Sequence, residues 1–95
     1  GVLVNAFAKI GNFTILNTGC IIEHECEIGI AAHIAPSVVL AGNVKVGNRS
    51  FIGANSVIKQ GIEIGDDVII GAGSVIIKDV KSNSKLVGNP GRLLK

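Results

Sequence analysis

An aliphatic residue recurs at every sixth position along most of the chain. From Val4 to Ile76, all thirteen positions of this series are occupied by Ile, Leu or Val. They are Val4, Ile10, Leu16, Ile22, Ile28, Ile34, Leu40, Val46, Ile52, Ile58, Ile64, Ile70 and Ile76. A period of six is neither that of an α-helix nor the alternation of an extended strand. It is typical of a short strand followed by a corner, with three such hexads in each coil.

The repeat predicts an all-β fold, a parallel β-helix of about four 18-residue coils. Each aliphatic side chain points into a triangular prism and stacks on the residue 18 positions away, while successive coils pair as parallel strands about 4.8 Å apart. Small or β-branched residues two positions earlier, such as Cys20 and Val68, predict a second inward column. Gly or Asn often follows the aliphatic residue, and we expect positive φ angles there, at the corners.

The hexad series predicts how the chain is divided. It ends after Ile76, because Ser occupies position 82. We predict a β-helix over residues 1–78 and a C-terminal tail over residues 79–95 that covers the open end of the prism. Such a cover is needed because the last coil of a β-helix presents unpaired strand edges. Since the repeat is already running at Val2, we expect further sequence upstream of Gly1.

Composition narrows the class of protein. Ile, Val and Leu number 15, 11 and 6, whereas the only aromatic residues are three Phe, so the core must be a stack of similar aliphatic side chains. No apolar run approaches the roughly 20 residues of a membrane-spanning helix, and no signal peptide opens the chain. A net charge of +2 gives no argument for nucleic acid. Two Cys make no disulfide framework, which favours a cytoplasmic protein.

Two histidines are the main candidates for chemistry. His24 follows Ile22 by two positions, at a corner, and has acidic neighbours on both sides. A corner side chain projects outward, and a nearby carboxylate can hold a neutral imidazole in one tautomer and make it a better base. The alternative is a surface histidine without a catalytic role.

The second histidine, His33, directly precedes the inward Ile34. It lies one and a half hexads after His24, so the two are on opposite sides of a coil. We expect them to meet only across a boundary between protomers packed around a three-fold axis.

The other candidates are weaker. Cys20 and Cys26 fall in the small inward column and are interpreted as buried core thiols. The adjacent residues Asp66 and Asp67 are ordinary turn residues. The glycines of FIGANS and IIGAGS also belong to turns and do not indicate a phosphate loop. These two segments are three hexads apart, however, so that Ala54 stacks on Ala72 in a smooth column that could accept a thin ligand such as a pantetheine arm.

Five segments carry a resemblance to a known family. They are LNTGCIIEHECEIG, HIAPSVVLAGNVKVG, FIGANSVI, IIGAGSVI and VGNPGR. The chain resembles the hexapeptide-repeat acyltransferases, and among them the bacterial sugar O- and N-acetyltransferases, which include UDP-4-amino-sugar N-acetyltransferases and sialic acid O-acetyltransferases. The resemblance implies a left-handed β-helix, a homotrimer and acetyl-CoA as co-substrate, with no metal.

The resemblance also implies roles for individual residues. His24 corresponds to the general base, and Glu25 to the acidic residue that tunes its basicity. His33 corresponds to the histidine that contacts the thioester region of acetyl-CoA, and Ala54 and Ala72 to backbone contacts with the coenzyme. The implied reaction is direct acetyl transfer to a nucleotide-linked amino sugar.

Two departures from the family are visible. Gly91 stands where the family more often has Ala, and we expect little consequence. The N-terminal α/β domain that holds the nucleotide sugar in family members is absent from these 95 residues. We therefore expect the chain alone to lack full substrate binding and its activity to depend on that domain.

Three other functions compete with the transferase. A γ-type carbonic anhydrase needs three zinc-binding histidines per site, and this chain has only two histidines. An ice-binding face would need a Thr ladder, and only Thr14 and Thr18 are present. A non-catalytic scaffold or assembly module remains the alternative, and a titration with acetyl-CoA distinguishes it from an enzyme.

Overall fold

A computed structural model of the chain describes residues 1–94, and their regular structure consists of short β-strands. Thirteen two-residue strands recur at every sixth position, and each ends on the inward aliphatic residue. They are β1 Leu3–Val4, β2 Lys9–Ile10, β3 Ile15–Leu16, β4 Ile21–Ile22, β5 Glu27–Ile28, β6 His33–Ile34, β7 Val39–Leu40, β8 Lys45–Val46, β9 Phe51–Ile52, β10 Val57–Ile58, β11 Glu63–Ile64, β12 Ile69–Ile70 and β13 Val75–Ile76. Two strands follow, β14 Lys85–Val87 and β15 Arg92–Leu93. No helix able to cross a membrane occurs within residues 1–94.

The strands form three sheets, which are the three faces of a prism measuring 35 × 21 × 21 Å. Sheet A contains β1, β4, β7, β10 and β13; sheet B contains β2, β5, β8 and β11; sheet C contains β3, β6, β9, β12, β14 and β15. Neighbouring coils pair in parallel at an offset of three hexads, so Ile22, Leu40, Ile58 and Ile76 form one stack. The prediction of an all-β, left-handed parallel β-helix is confirmed.

The core consists of two inward columns on each face. From Ile22 to Ile76 the inward aliphatic residues of the hexad series are at most 4% exposed. The column two residues earlier is also buried and includes Cys20, Val38 and Ser56. Each fully buried Ile or Leu contributes about 1.5–3 kcal/mol through the hydrophobic effect. The repeated sequence pattern is therefore also the main source of stability.

The corners differ from the prediction in one respect. Positive φ angles occur at the third residue after the inward aliphatic, as at Phe7 and Glu25, and not at the residue directly after it. The glycines directly after it serve close packing between coils instead: a Cβ at Gly53 would lie 2.6 Å from the backbone N of Ala72. The prediction that these glycines supply positive φ angles was therefore wrong. Glycine is required at these positions because the next coil leaves no room for a Cβ atom.

The parallel stacking continues past residue 78. Val80 forms a parallel bridge with Ile64, and β14 pairs in parallel with β12. The molecule therefore has about five coils and not the predicted four. The step from Ile76 to Val80 is shorter than a hexad. The inward residues after Ile76 therefore fall outside the series of every sixth position, and for this reason the fifth coil was not predicted.

The chain then reverses at the end of the prism. β15 pairs antiparallel with β14. The Val75 N–H donates to the Gly88 carbonyl at 2.9 Å, and the Gly91 N–H donates to the Val75 carbonyl at 2.8 Å. Residues 88–91 thus satisfy backbone groups of β13, the last strand of sheet A. Lys95, the end of the predicted tail, lies outside the described residues.

Candidate active site

His24 lies at a corner between sheets A and B, in the turn that joins β4 to β5. Its side chain is 54% exposed, and its Nδ1 atom is 3.8 Å from Glu25 Oε1. Its ring lies against the backbone of Gly42, the equivalent residue of the next coil. An imidazole in this position is open to solvent on one side and contacts a carboxylate and a backbone on the others.

The three carboxylates that flank His24 in sequence have different partners. Glu23 accepts a hydrogen bond of 3.0 Å from Asn5 Nδ2, and Glu27 lies 3.8 Å from Lys45 Nζ. Of the three, Glu25 is the one that lies beside the imidazole. Its backbone has a φ of 60°, and its N–H donates to the Ala6 carbonyl one coil below. The sequence periodicity does not separate these carboxylates, whereas the family resemblance had indicated Glu25.

His33 lies on the outer face of sheet C, as the first residue of β6. Its ring is half-buried and meets Phe51 edge-on, with ring centroids 5.1 Å apart. Its Nε2 atom is 3.4 Å from Asn17 Nδ2. These contacts from neighbouring coils hold the ring upright on the sheet, with part of its surface accessible.

Ala54 and Ala72 lie one above the other at the corner between sheets C and A. The Gly73 N–H donates to the Ala54 carbonyl at 2.8 Å, which brings the two turns into contact. Pro36 occupies the equivalent position one coil below, since the Asn55 N–H donates to its carbonyl at 3.0 Å. Short side chains therefore line this corner parallel to the prism axis.

One chain does not bring all the predicted site residues together. His33 lies on sheet C, and the two alanines lie at an edge of that sheet. His24 and Glu25 lie at the corner between sheets A and B, which is opposite sheet C in a triangular prism. The expected separation of the histidines within a chain therefore agrees with the topology.

The remaining candidates have structural roles. Cys20 and Cys26 are buried, unbridged thiols, and burial raises the pKa of each. Asp66 Oδ1 accepts a hydrogen bond of 2.7 Å from the Asn48 N–H of the previous coil. No cluster of three or more His, Cys, Asp or Glu side chains suited to a metal ion occurs in residues 1–94.

Asp67 forms a two-pronged ion pair with Arg49. Arg49 Nε and Nη2 donate to the two carboxylate oxygens at 2.8 and 2.9 Å. The hydrogen bond from Arg49 lowers the pKa of the Asp67 carboxyl below its usual range. Since both side chains are solvent-exposed, the pair joins two coils at the surface and adds little to stability.

Sequence reasoning missed the partners that come from other coils. Gly42, which lies against the His24 ring, and Phe51, beside His33, are each one full coil after the histidine that they contact. The signal was available, because the predicted coil length places residues three hexads apart against each other. Applying that offset to every candidate residue would have found both.

The outward side chains of the three sheets differ in character. On sheet A they are aliphatic throughout: Leu3, Ile21, Val39, Val57 and Val75. On sheet C, Ile15, His33, Phe51 and Ile69 are mainly apolar, and Lys85 of β14 follows in register with Ile69. On sheet B, Lys9, Glu27, Lys45 and Glu63 alternate in charge. Sheet B is suited to water, whereas sheets A and C offer apolar surface to a partner.

Two protein-family models match the chain. The model described as "Hexapeptide repeat of succinyl-transferase" matches residues 43–78. The model described as "Bacterial transferase hexapeptide (six repeats)" matches residues 25–60. Together they span residues 25–78, which include most of the coils and the His24 neighbour Glu25.

Solved structures of several acetyltransferases are similar along the whole chain. A perosamine N-acetyltransferase from Caulobacter crescentus, in complex with CoA and GDP-perosamine, is 39% identical with a TM-score of 0.99. The match covers 100% of this chain and 46% of that one. Two more structures of that enzyme, with the same ligands, carry replacements of a single histidine by Asn or Ala.

Two further structures extend the comparison. The acetyltransferase domain of PglB from Neisseria gonorrhoeae, in complex with acetyl coenzyme A, is 32% identical over 99% of this chain and 49% of that chain, with a TM-score of 0.84. A maltose O-acetyltransferase from Clostridium difficile is 32% identical over 100% of this chain and 63% of that chain, with a TM-score of 0.94. The chain thus spans about half the length of the perosamine N-acetyltransferase and of the PglB domain.

Proposed function

Because the chain belongs to the hexapeptide-repeat acyltransferases, we propose that it forms the acetyl-CoA-using part of a sugar N-acetyltransferase. The observation that carries the proposal is the pairing of the exposed His24 imidazole with Glu25 at an open corner. Its similarity to an N-acetyltransferase bound to CoA and GDP-perosamine supports a nucleotide-linked amino sugar as acceptor. The free thiols of Cys20 and Cys26 agree with a cytoplasmic location.

The chemistry requires one proton acceptor. His24 takes a proton from the sugar amine as the nitrogen attacks the thioester carbonyl carbon. A backbone N–H stabilises the negative oxygen of the tetrahedral intermediate. When the C–S bond breaks, the proton on His24 passes to the departing CoA sulfur. Glu25 stabilises the imidazolium that exists between these two steps.

The coenzyme is proposed to run along the corner that carries Ala54 and Ala72. The short side chains there allow a pantetheine arm to approach the backbone, whose N–H and C=O groups can bind its amides. His33, on the adjacent sheet, would contact the thioester end. Within one chain, the proposed base and the proposed coenzyme corner therefore lie at the two opposite edges of sheet A.

We further propose a homotrimer that resolves this separation. Three prisms packed side by side around a three-fold axis bring the His24 corner of one protomer to the His33 face of the next. The aliphatic outer face of sheet A and the mainly apolar face of sheet C provide surface for such contacts. Each active site would then contain residues from two protomers.

Mixing two inactive variants tests the shared site. If His24 and His33 act in one site from different protomers, random trimers of His24→Ala and His33→Ala chains contain intact sites at about a quarter of the interfaces. We expect each variant alone to be inactive and the unfolded and refolded mixture to regain activity. A mixture that stays inactive, or a chain that sediments as a monomer, contradicts the shared site.

Binding of acetyl-CoA is the first test of the transferase itself. We expect calorimetric titration of the chain to give a dissociation constant in the micromolar range. Sequence outside these residues is expected to hold the nucleotide, so transfer is assayed with a free amino sugar at high concentration. Absence of any binding would favour the alternative of a non-catalytic scaffold.

Replacing His24 by Ala tests the proposed base. We expect turnover to fall by about 10²–10⁴-fold, the usual contribution of general base catalysis. Circular dichroism and acetyl-CoA affinity should remain unchanged, because the side chain is exposed. Glu25→Gln should lower turnover less, and Glu23→Gln is the matched control, since Glu23 is bound to Asn5. Near-normal turnover in the His24 variant would refute the assignment.

A further inference from the structure

The His24 imidazole lies directly against the backbone of Gly42 on the next coil. A Cβ atom placed at Gly42 would be 2.8 Å from both Cε1 and Nε2 of His24 and 3.4 Å from Nδ1. These three imidazole atoms are the nearest neighbours of that position. Non-bonded carbon atoms require about 3.5–4.0 Å. The ring in its present place therefore excludes every side chain at position 42.

Neither of the usual reasons for glycine in this fold applies at position 42. Gly19, Gly61 and Gly73 have positive φ angles, whereas Gly42 does not. At Gly53 an added Cβ would meet the backbone of the next coil, whereas at Gly42 it meets only the His24 ring among its nearest atoms. The one identified role of glycine here is to leave room for the imidazole.

From these contacts we infer that Gly42 is a positioning residue for His24. This inference rests on the proposed function, in which His24 is the base. An exposed histidine ordinarily samples several rotamers, and fixing one costs free energy. The flat backbone of Gly42 supports one face of the ring while Glu25 lies 3.8 Å from Nδ1. These two contacts together hold the ring in one orientation.

The substitution Gly42→Ala tests the inference with a single added methyl group. The backbone of Gly42 is not in the left-handed region, so alanine is compatible with its φ angle. The methyl group displaces the imidazole by about 1 Å, and a misplacement of that size can cost about 100-fold in rate. We expect kcat to fall by about 10- to 100-fold, with the KM for acetyl-CoA within about twofold of the parent.

A second measurement follows the ring without relying on activity. In the parent chain, NMR should show a nuclear Overhauser contact between the His24 Hε1 proton and the Gly42 Hα protons. In Gly42→Ala, the His24 ring resonances should shift, because the added methyl group displaces the ring. The His33 ring, which is remote from position 42, is the internal control and should keep its resonances.

The His24→Ala background provides the matched control variant. Without the imidazole, Gly42→Ala should have no further effect on turnover and should not lower the melting temperature. Unchanged His24 resonances in Gly42→Ala, or an unchanged kcat while His24→Ala is inactive, would overturn the positioning role. A fully active His24→Ala variant would instead overturn the proposed function.

Discussion

At the scale of single residues, the corners show how a demanding backbone conformation is accommodated. Within residues 1–94, ten non-glycine residues have positive φ angles, among them Phe13, Arg49 and Asp67. A non-glycine residue pays a steric cost in this region. From the second coil onward, the N–H of the corner residue also donates to a carbonyl of the previous coil, as Asp67 does to Asn48 at 2.9 Å. Hydrogen bonding between coils thus offsets the local strain, and many residue types are tolerated.

Two glycines allow a matched test of the two reasons for glycine in this fold, which are close packing between coils and a positive φ angle. Gly53→Ala should lower the free energy of unfolding by about 1–3 kcal/mol, because its Cβ would meet the backbone N of Ala72 at 2.6 Å. Gly73→Ala should cost only about 1 kcal/mol, because Gly73 has a φ of 70° but open space around its Cβ position. Urea denaturation measures both. Equal costs would contradict the separate roles of the two glycines.

At the scale of the strands, each element is too short to be stable by itself. A two-residue strand gains its hydrogen bonds only from the coils above and below, and inward polar residues complete that pairing. Ser50 Oγ donates to the Gly65 carbonyl at 2.6 Å and accepts from the Val68 N–H at 3.0 Å. Ser56 makes the corresponding pair of bonds with Gly71 and Ser74. These hydroxyls let polar residues occupy an otherwise apolar column.

Ser50→Ala tests the contribution of one such hydroxyl. The change leaves the Gly65 carbonyl and the Val68 N–H without this partner in a buried setting, which should cost about 1–3 kcal/mol. Thermal and urea unfolding would measure the loss. Ser37→Ala is the control, because Ser37 is exposed, and it should change stability by less than about 0.5 kcal/mol. A Ser50 variant as stable as the parent would show that these hydrogen bonds contribute nothing.

At the scale of the molecule, the prism is a stack in which each coil contacts only its neighbours. Burial is therefore greatest in the middle: Ile22 is fully buried, whereas Val4 in the first coil is 47% exposed. In such stacks, stability depends on the interfaces between neighbouring repeats and on how the end repeats are covered. At the C-terminal end, Val80 and β14 cover the inward residues Ile64 and Ile70.

Truncation of the C-terminal residues tests whether this cover stabilises the stack. A chain of residues 1–78 loses the buried side chains of Val80 and Leu86, which should lower the free energy of unfolding by about 3 kcal/mol or more. It also exposes strand edges, so we expect self-association. A chain of residues 1–91 keeps Val80 and β14 and serves as the control, with a smaller loss. Sedimentation and urea unfolding distinguish the two, and equal stability of 1–78 and the full chain would contradict the role of the cover.

The amino-acid sequence alone determined the architecture and the location of the candidate base. Inward aliphatic residues at every sixth position can all be buried only if the backbone turns after each hexad, and this sets the pairing of Ile22 with Leu40, three hexads on. The same phase places His24 at an outward corner. These features follow from local periodicity and from the need to bury apolar surface.

Tertiary structure decided what depends on contacts between coils. It placed the Glu25 carboxylate 3.8 Å from His24 Nδ1, set Gly42 against the His24 ring, and put the positive φ angles two residues further along each corner than predicted. It also continued the stack through the shortened step to Val80. Periodicity could not show these features, because each depends on which atoms of the neighbouring coils come within a few ångströms.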